Sequence, residues 1–383
     1  MKARATLIVC FAAFVLLGLP EGILGTAWPE IRGSFSLDVE RLAWLSSVYA
    51  AGYLASSLVS GRVVTAFGLR RSAASAAAVA AVGLLIIAAA QSLTVLLVGQ
   101  ALMGFAVGGI DAALNAYMTL RHGPREMNAL HGFFGVGAAA GPLIARGALS
   151  FDFSWRVLYL CIGILWAIAA IRFGGDDELD VDTRPAVDQE TEPHRRDARV
   201  ASALLLTYFA LYVSAEVIVG QWSFSLLTEQ RGVGENVAGV ATAGFWGGLT
   251  VGRFGLAAIA ARATPFVTLR VSLAVVVVSV LVIWADPFAG ADVAAMAFAG
   301  LGMAGVFPSL VTATPKLVGR GRTANLVGYQ LAASSAGFIV MPLVLGEFVA
   351  STSLEAMPPF VFALVVAQIA THVALERVPR QQP

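Results

Sequence analysis

Two acidic residues lie inside long apolar runs, where a carboxylate could bind a proton, a cation or a hydroxyl group. Glu21 stands between Pro20 and Gly22, and Asp111 stands four residues before Asn115. A charged group at the centre of a membrane helix costs about 2.5–3.5 kcal/mol on insertion scales, so such residues are usually retained for a function. Asp111 and Asn115 share one helix face, because residues four apart are neighbours on a helix. Proline and glycine weaken the helix around Glu21 and free backbone groups that can line a cavity.

Other polar and aromatic side chains in the apolar runs extend this candidate site. His131 can exchange a proton near neutral pH, although it could instead only pair with Asp111 or a backbone carbonyl. Asn115 could contact a solute or form only an interhelical hydrogen bond. The residues that could line the wall of a polar pocket, each more often used for packing, are Tyr53, Gln221, Trp246, Tyr329 and Gln330.

The composition is that of a polytopic membrane protein. Of 383 residues, 58% are hydrophobic and only 13% are charged, whereas soluble proteins carry roughly 25% charged residues. The net charge of +1 gives no indication of a nucleic-acid partner. Cys10 and Cys161 lie in apolar runs without metal-ligand spacing, so we expect no metal site and no cofactor. The first apolar segment is too long for a cleaved signal sequence, so we expect it to be a membrane span.

Twelve segments are long and apolar enough to cross a bilayer as helices. They are 6–28, 42–64, 72–91, 93–120, 127–149, 155–173, 200–227, 236–260, 265–285, 292–313, 323–349 and 357–376. The long polar segment 174–199 is predicted to be a cytoplasmic linker between two six-helix bundles, residues 1–173 and 200–383. The predicted fold class is an all-α membrane protein of twelve transmembrane helices.

The basic residues predict the orientation of the chain. With the N-terminus in the cytoplasm, twenty of the 25 basic residues fall inside. The five outside are Arg32, Arg41, Arg146, Arg156 and Arg231. By the positive-inside rule, both termini and the linker are predicted to be cytoplasmic, in the cell (inner) membrane.

The two halves show an internal repeat, a construction used by transporters. At an offset of 195, Glu21 corresponds to Glu216, which makes Glu216 a further candidate site residue. At an offset of 196, Phe307 stands in the place of Asp111. Three pairs of glycines match at this same offset: Gly104 with Gly300, Gly132 with Gly328, and Gly141 with Gly337. We infer two parallel halves whose polar residues are concentrated in the first.

This layout resembles the major facilitator superfamily over the whole chain. The stretch 61–71 is similar to the superfamily's G-x-x-x-D-R-x-G-R-R gate loop. Its matching gate residues are Gly61, Arg62, Gly68, Arg70 and Arg71. Thr65 stands where the family usually has aspartate, so the usual charge pairing at the inner gate is not implied here.

The segment 111–142 resembles the fucose permease branch, the sugar:proton symporters and their sodium-coupled glucose relatives. It shows D-x-x-x-N, then N-x-L-H-x-x-F-G-x-G-A and G-P. The resemblance implies that Glu21 and Asp111 lie in a central cavity and serve coupling and substrate binding. It also places His131 and Phe134 on a face that carries substrate contacts. Fucose specificity is not implied, because Phe134 is apolar where the fucose permease has an amide.

These observations predict a monomeric secondary transporter in the lipid bilayer. A small polar solute, such as a sugar, would enter between the halves with a proton on Glu21 or Asp111, and the halves would then rock about the site. Sodium is an alternative coupling ion. A proton-coupled exporter of drugs or amphiphiles is the alternative function, although the arginine of its R-x-x-Q-G-like pattern is missing before Gln100. No nucleophile–base set, HExxH motif or phosphate loop is present, so we do not expect an enzyme.

Overall fold

The computed structural model describes residues 2–122, 124–181, 195–259, 264–288 and 290–378, and these residues are predominantly α-helical. The helices are α1 (Lys2–Gly33), α2 (Leu42–Ala89), α3 (Leu93–Arg121), α4 (Pro124–Ser150), α5 (Trp155–Gly174), α6 (Arg195–Ser225), α7 (Glu235–Ile259), α8 (Pro265–Ala285), α9 (Ala291–Met303), α10 (Val306–Val318), α11 (Arg320–Ser351) and α12 (Met357–Glu376). We refer to α1–α5 as the first half and to α6–α12 as the second half.

Within the described residues, ten stretches are long and apolar enough to cross a membrane. This number differs from the twelve predicted, for two reasons. Residues Val39–Ala89 form one stretch, where two spans were predicted, and α7 is not among the ten. In contrast, α9 and α10 together form one stretch, Ala291–Val318, as predicted.

The long helix α2 is broken at Gly68. The backbone there has φ +80° and ψ 163°, a conformation that is essentially restricted to glycine. The two parts of α2 on either side of Gly68 therefore need not share one axis. The tight connection to α3 follows at Ser92, whose hydroxyl accepts a hydrogen bond from the Val95 N–H and so caps α3.

Glycines bring helices into backbone contact, and these contacts recur along the chain. A Cβ atom on Gly104 would lie 1.9 Å from the carbonyl oxygen of Tyr49, and one on Gly300 would lie 1.9 Å from that of Phe245. Gly300 stands 196 residues after Gly104, and Phe245 stands 196 residues after Tyr49. A second pair of contacts at this offset joins Gly52 to Ala101 and Gly248 to Ala297.

The two halves meet along two seams. On one side α4 packs against α7, and on the other α2 packs against α11. Between the seams, α1 touches α6: a Cβ atom on Gly25 would lie 2.5 Å from the carbonyl oxygen of Gln221. The centre of the protein is therefore formed by helices from both halves.

The beginning of the predicted linker is packed against the first half. Asp176 accepts a 2.8 Å hydrogen bond from the Thr6 hydroxyl, and Leu179 is fully buried. Helix α6 begins at Arg195, five residues before the predicted start of the second bundle. Linker residues 182–194 lie outside the described residues, so the domain boundaries stay a prediction.

Candidate functional site

A chain of hydrogen bonds through Asp111 connects three helices. The Tyr53 hydroxyl of α2 donates to Asp111 Oδ2 at 2.7 Å, and Asn115 Nδ2 donates to Asp111 Oδ1 at 2.7 Å. On α4, His131 Nε2 lies 3.1 Å from Asn115 Oδ1. The expected neighbourhood of Asp111, Asn115 and His131 is therefore present, with His131 meeting the amide oxygen of Asn115.

Glu21 is held by a residue of the second half. Gln221 Nε2 on α6 donates to Glu21 Oε1 at 2.9 Å, and Gln221 Oε1 accepts a hydrogen bond from the Ser46 hydroxyl on α2. Gln221 is buried, and Glu21 lies within the helix that carries Pro20. The predicted position of Glu21 among polar groups between the halves agrees with this geometry.

A third acid, Glu216, is paired with an arginine inside the second half. The Tyr212 hydroxyl donates to Glu216 Oε2, and Arg253 Nη2 lies 3.7 Å from the same oxygen. Arg253 Nη2 also approaches the Tyr212 hydroxyl at 3.5 Å. Arg253 is one of the basic residues that the positive-inside rule places on the inner side, and in the structure it is paired with Glu216.

These three groups form one electrostatic region. Tyr49 on α2 interacts with the charges of both Glu21 and Asp111. Glu21 interacts with the charge of Glu216, and His131 with those of Asp111 and Arg253. Three carboxylates face one guanidinium and one imidazole, an arrangement suited to a proton, a cation or a hydroxyl-rich solute.

Two of the remaining predicted wall residues, Trp246 and Gln330, are buried. Trp246 packs against Gly220 and Phe245, and Gln330 Nε2 donates to Thr314 Oγ1 at 2.9 Å. The backbone carbonyl of Phe134 lies against Gly18, and its side chain is partly buried in the core. None of these contacts places Trp246, Gln330 or Phe134 against Asp111 or Glu21, so the role of these three residues in binding stays a prediction.

A cleft separates α2 from α11 at the predicted inner end of their seam, with a volume of about 390 Å³. Tyr329 is 63% exposed there, and the neighbouring Tyr53 carries the hydrogen bond to Asp111. The residues that line the cleft are Leu54, Ser57, Leu58, Gly328, Tyr329, Leu331, Ala332 and Ser335.

The predicted gate loop contains the break in α2 and one well-defined ion pair. Arg70 Nη1 lies 2.6 Å from Asp177 and 3.1 Å from Asp180, both in the segment after α5. Thr65, which replaces the family's aspartate, donates to the carbonyl of Gly61. Arg70 is thus paired with acids from the start of the linker. Gly61, Arg62 and Arg71 are exposed.

At the predicted outer end, ion pairs join the halves. Arg32 pairs with Glu229, and Arg146 Nη1 lies 2.7 Å from Glu235. At the opposite end, the described pair of Arg270 with Glu376 lies within the second half. The pair of Arg70 with Asp177 joins the first half to the start of the linker, not to the second half. Among the described residues, charge pairing between halves is therefore concentrated at the predicted outer end.

Comparison with known families decides the fold assignment. The family model described as "Major Facilitator Superfamily" matches residues 10–342. The chain belongs to the Major Facilitator Superfamily. This family consists of transporters, so the expectation that the chain is not an enzyme is confirmed.

The proteins to which this chain is similar in sequence carry different names. "Bypass of stop codon protein 6" of Saccharomyces cerevisiae is 25% identical over 68% of this chain and 58% of its own length. "Sodium-dependent glucose transporter 1A" of Mus musculus is 24% identical over 62% of this chain and 64% of its own length. "MFS thioclapurine efflux transporter tcpA" of Claviceps purpurea is 27% identical over 44% of this chain and 33% of its own length. The matches therefore span less than two thirds of each relative.

A solved structure of a superfamily member shares the fold across the full chain. A bacterial homologue of the human lysosomal transporter Spinster, crystallised in an inward-facing and occupied conformation, superposes with a TM-score of 0.72. The alignment covers 100% of this chain and 99% of that one at 14% identity.

Several groups of the candidate site were not singled out from the sequence. Ser46 and Tyr212 were not named, although Tyr212 stands four residues before Glu216, a spacing that permits contact on one helix face. The pairing of Arg253 with Glu216 was also not predicted, because Arg253 lies near the inner end of its predicted span and was counted only toward the orientation.

Proposed function

We propose that this chain is a secondary active transporter that carries a small polar solute, such as a sugar, together with protons by alternating access. In this proposal twelve helices form two six-helix bundles, and both termini and the linker lie in the cytoplasm. The lipid bilayer surrounds a monomer.

The observation that carries the proposal is the polar chain through Asp111. Tyr53, Asp111, Asn115 and His131 are linked by hydrogen bonds of 2.7–3.1 Å inside an otherwise apolar bundle. Polar and ionisable side chains within membrane-spanning helices mark substrate or ion pathways in membrane proteins. Carboxylate, amide and hydroxyl groups in one place suit the hydroxyl groups of a sugar, which both donate and accept hydrogen bonds.

The glycine contacts and the break at Gly68 support the two-bundle arrangement. Division of α2 at Gly68 turns one 51-residue stretch into two spans, and α7 supplies a further span. The contacts of Gly104 with Tyr49 and of Gly300 with Phe245 are what parallel repeats would produce at equivalent positions.

In the proposed cycle, the solute enters from outside while Glu21 or Asp111 takes up a proton. Neutralising a carboxylate removes the cost of a buried charge before the halves move. The halves then rock about the central site, and solute and proton leave on the inside. A sodium ion could replace the proton, because carboxylate and amide oxygens bind it as well. The name of the murine relative is consistent with that alternative.

The decisive experiment is uptake into proteoliposomes under an imposed pH gradient. With an outside-acid gradient, a radiolabelled hexose such as D-glucose, tested first in a panel, should accumulate. Glu21→Gln and Asp111→Asn should lower accumulation at least tenfold. The matched controls Glu347→Gln and Asp152→Asn are exposed acids and should transport like the original protein. Accumulation driven only by a sodium gradient would replace the proton in the proposal.

A proton-coupled exporter is the second candidate, because efflux transporters are among the similar proteins. It predicts the opposite flux. If an outside-acid gradient drives no hexose uptake, while an inside-acid gradient drives a fluorescent cationic dye into the vesicles against its gradient, the exporter function is correct and the sugar proposal is wrong.

A further inference from the structure

Gln221 is a second-half residue whose amide is fixed at both ends by the first half. Its Nε2 donates to Glu21 Oε1 at 2.9 Å, and its Oε1 accepts from the Ser46 hydroxyl. Its backbone carbonyl lies where a Cβ atom of Gly25 would come within 2.5 Å. Gln221 is also only 2% exposed, so water does not compete for either end of the amide.

We propose that Gln221 is a positioning residue that couples the charge of Glu21 to closure of the predicted outer end between the halves. This inference rests on the proposed function. It adds that the link between proton uptake and movement of the halves is one named hydrogen bond.

The coupling follows from the strength of that hydrogen bond. A bond from an amide N–H to a carboxylate is roughly twice as strong as one to a neutral acceptor. With Gln221 Oε1 accepting from Ser46, it is the Nε2 of the amide that meets Glu21, and protonation of Glu21 replaces a charged acceptor of this N–H by a neutral one. Protonation of Glu21 therefore weakens the connection between the halves, by about tenfold in the closed-to-open equilibrium.

This linkage has the sign that proton-driven transport requires. Ionised Glu21 favours the closed outer end seen here, and protonated Glu21 favours opening of that end. By reciprocity, opening toward the outside favours proton uptake and closure favours proton release. The bias is the same for import and for export, so it does not depend on the direction of solute transport.

Other titratable groups surround Glu21 and must be separated from it by experiment. The groups on neighbouring helices whose charges interact with Glu21 are Tyr49 on α2, Tyr159 on α5 and Glu216 on α6. The charged groups on α4 and α7 are engaged nearby, His131 with Asp111 and Arg253 with Glu216. At the outer end, the pairs Arg32–Glu229 and Arg146–Glu235 are alternative pH-sensitive connections between the halves.

The test measures the distance across the outer end without requiring a known solute. Spin labels on cysteines at Gly33 and Gly234, two positions with open space around them, report that distance in liposomes. The native Cys10 and Cys161 are replaced by alanine. From alkaline to acidic buffer, the ratio of the long-distance to the short-distance population should rise about tenfold, as the hydrogen-bond argument requires. Gln221→Leu should abolish this response and leave the outer end largely open at every pH.

Two further variants make the result specific. Gln221→Glu should invert the response, because two facing acids share a proton and hold together in acid but repel each other in alkaline buffer. This variant also carries the test if Gln221→Leu does not fold. Gln368→Leu removes another buried amide, one that donates within the second half, and should behave like the original protein. Glu229→Gln should likewise keep the pH response.

The inference is overturned if Gln221→Leu or Gln221→Glu keeps the pH response of the original protein. It is also overturned if the original protein shows no response while it still accumulates hexose under a pH gradient. Absence of gradient-driven accumulation, with an intact and Gln221-dependent distance change, would instead refute the proposed substrate and coupling and leave the hydrogen-bond switch standing.

Discussion

Replacing Arg253 by methionine should destabilise the protein more than replacing both Arg253 and Glu216. In the structure Arg253 Nη2 lies 3.7 Å from Glu216 Oε2, and the two side chains are 21% and 14% exposed. Two unit charges at about 4 Å attract by about 4 kcal/mol at an effective dielectric constant near 20. Loss of Arg253 leaves the largely shielded Glu216 carboxylate with the Tyr212 hydroxyl as a donor but without this counter-charge.

We expect the free energy of unfolding to fall by about 3 kcal/mol in Arg253→Met, the lower end for a broken buried pair, because the contact is longer than a direct hydrogen bond. The double variant Arg253→Met/Glu216→Gln should recover about 2 kcal/mol of that loss, since no unpaired charge remains. The assay is unfolding in mixed micelles with increasing SDS, followed by tryptophan fluorescence.

The exposed pair of Arg270 with Glu376 provides the control. Its atoms are closer, at 2.6 Å, but Arg270 is 61% exposed. Arg270→Met should therefore cost less than about 1 kcal/mol. The reasoning is refuted if the double variant is as unstable as Arg253→Met, or if Arg270→Met costs as much as Arg253→Met.

Three other substitutions have defined expectations. Gly104→Ala and Gly300→Ala should each lower the unfolding temperature strongly and by similar amounts, because the new methyl group meets a backbone carbonyl. The control Gly147→Ala has open space around the new methyl group and should have little effect. Unequal losses in the first two variants would argue against equivalent contacts. Gly68→Ala should lower the free energy of unfolding by about 1–3 kcal/mol in the SDS assay, because the φ of +80° at this position suits only glycine. An unchanged midpoint would contradict this backbone conformation at Gly68. Tyr53→Phe should reduce solute affinity or proton-driven uptake about tenfold with little loss of stability, because it removes one hydrogen-bond donor to Asp111. Unchanged transport kinetics would exclude Tyr53 from the site.

The sequence predicted the helical membrane fold and the acids of the site, because both leave local signals. Apolar runs of sufficient length specify spans, and Asp111 stands out in such a run. The spacing of Asp111 and Asn115 predicted their contact, which the structure contains at 2.7 Å. The sequence predicted a loop around Gly68 between two spans, but not that helix continues up to this one residue on both sides, since a glycine does not reveal its φ.

Contacts between distant segments could not be predicted in the same way. Gln221 was only one of several wall candidates, and its two partners lie 200 and 175 residues away. The pairing of Arg253 with Glu216 depends on how α7 rotates against α6, which hydropathy does not define. The repeat predicted which glycines correspond, but not that both contacts would be with backbone carbonyls.

The unequal packing of the two seams determines how the halves can separate. On the α4–α7 side, Gly132 and Gly135 accept the side chains of Phe254 and Thr250, where added Cβ atoms would come within 2.1 and 2.2 Å. On the α2–α11 side, the seam widens into the cleft at its inner end. We therefore expect any relative motion of the halves to pivot about the tight α4–α7 contact, with the largest displacement along α2 and α11. A solute would pass nearest to Tyr53 and Asp111, on the freely moving side of an asymmetric rotation.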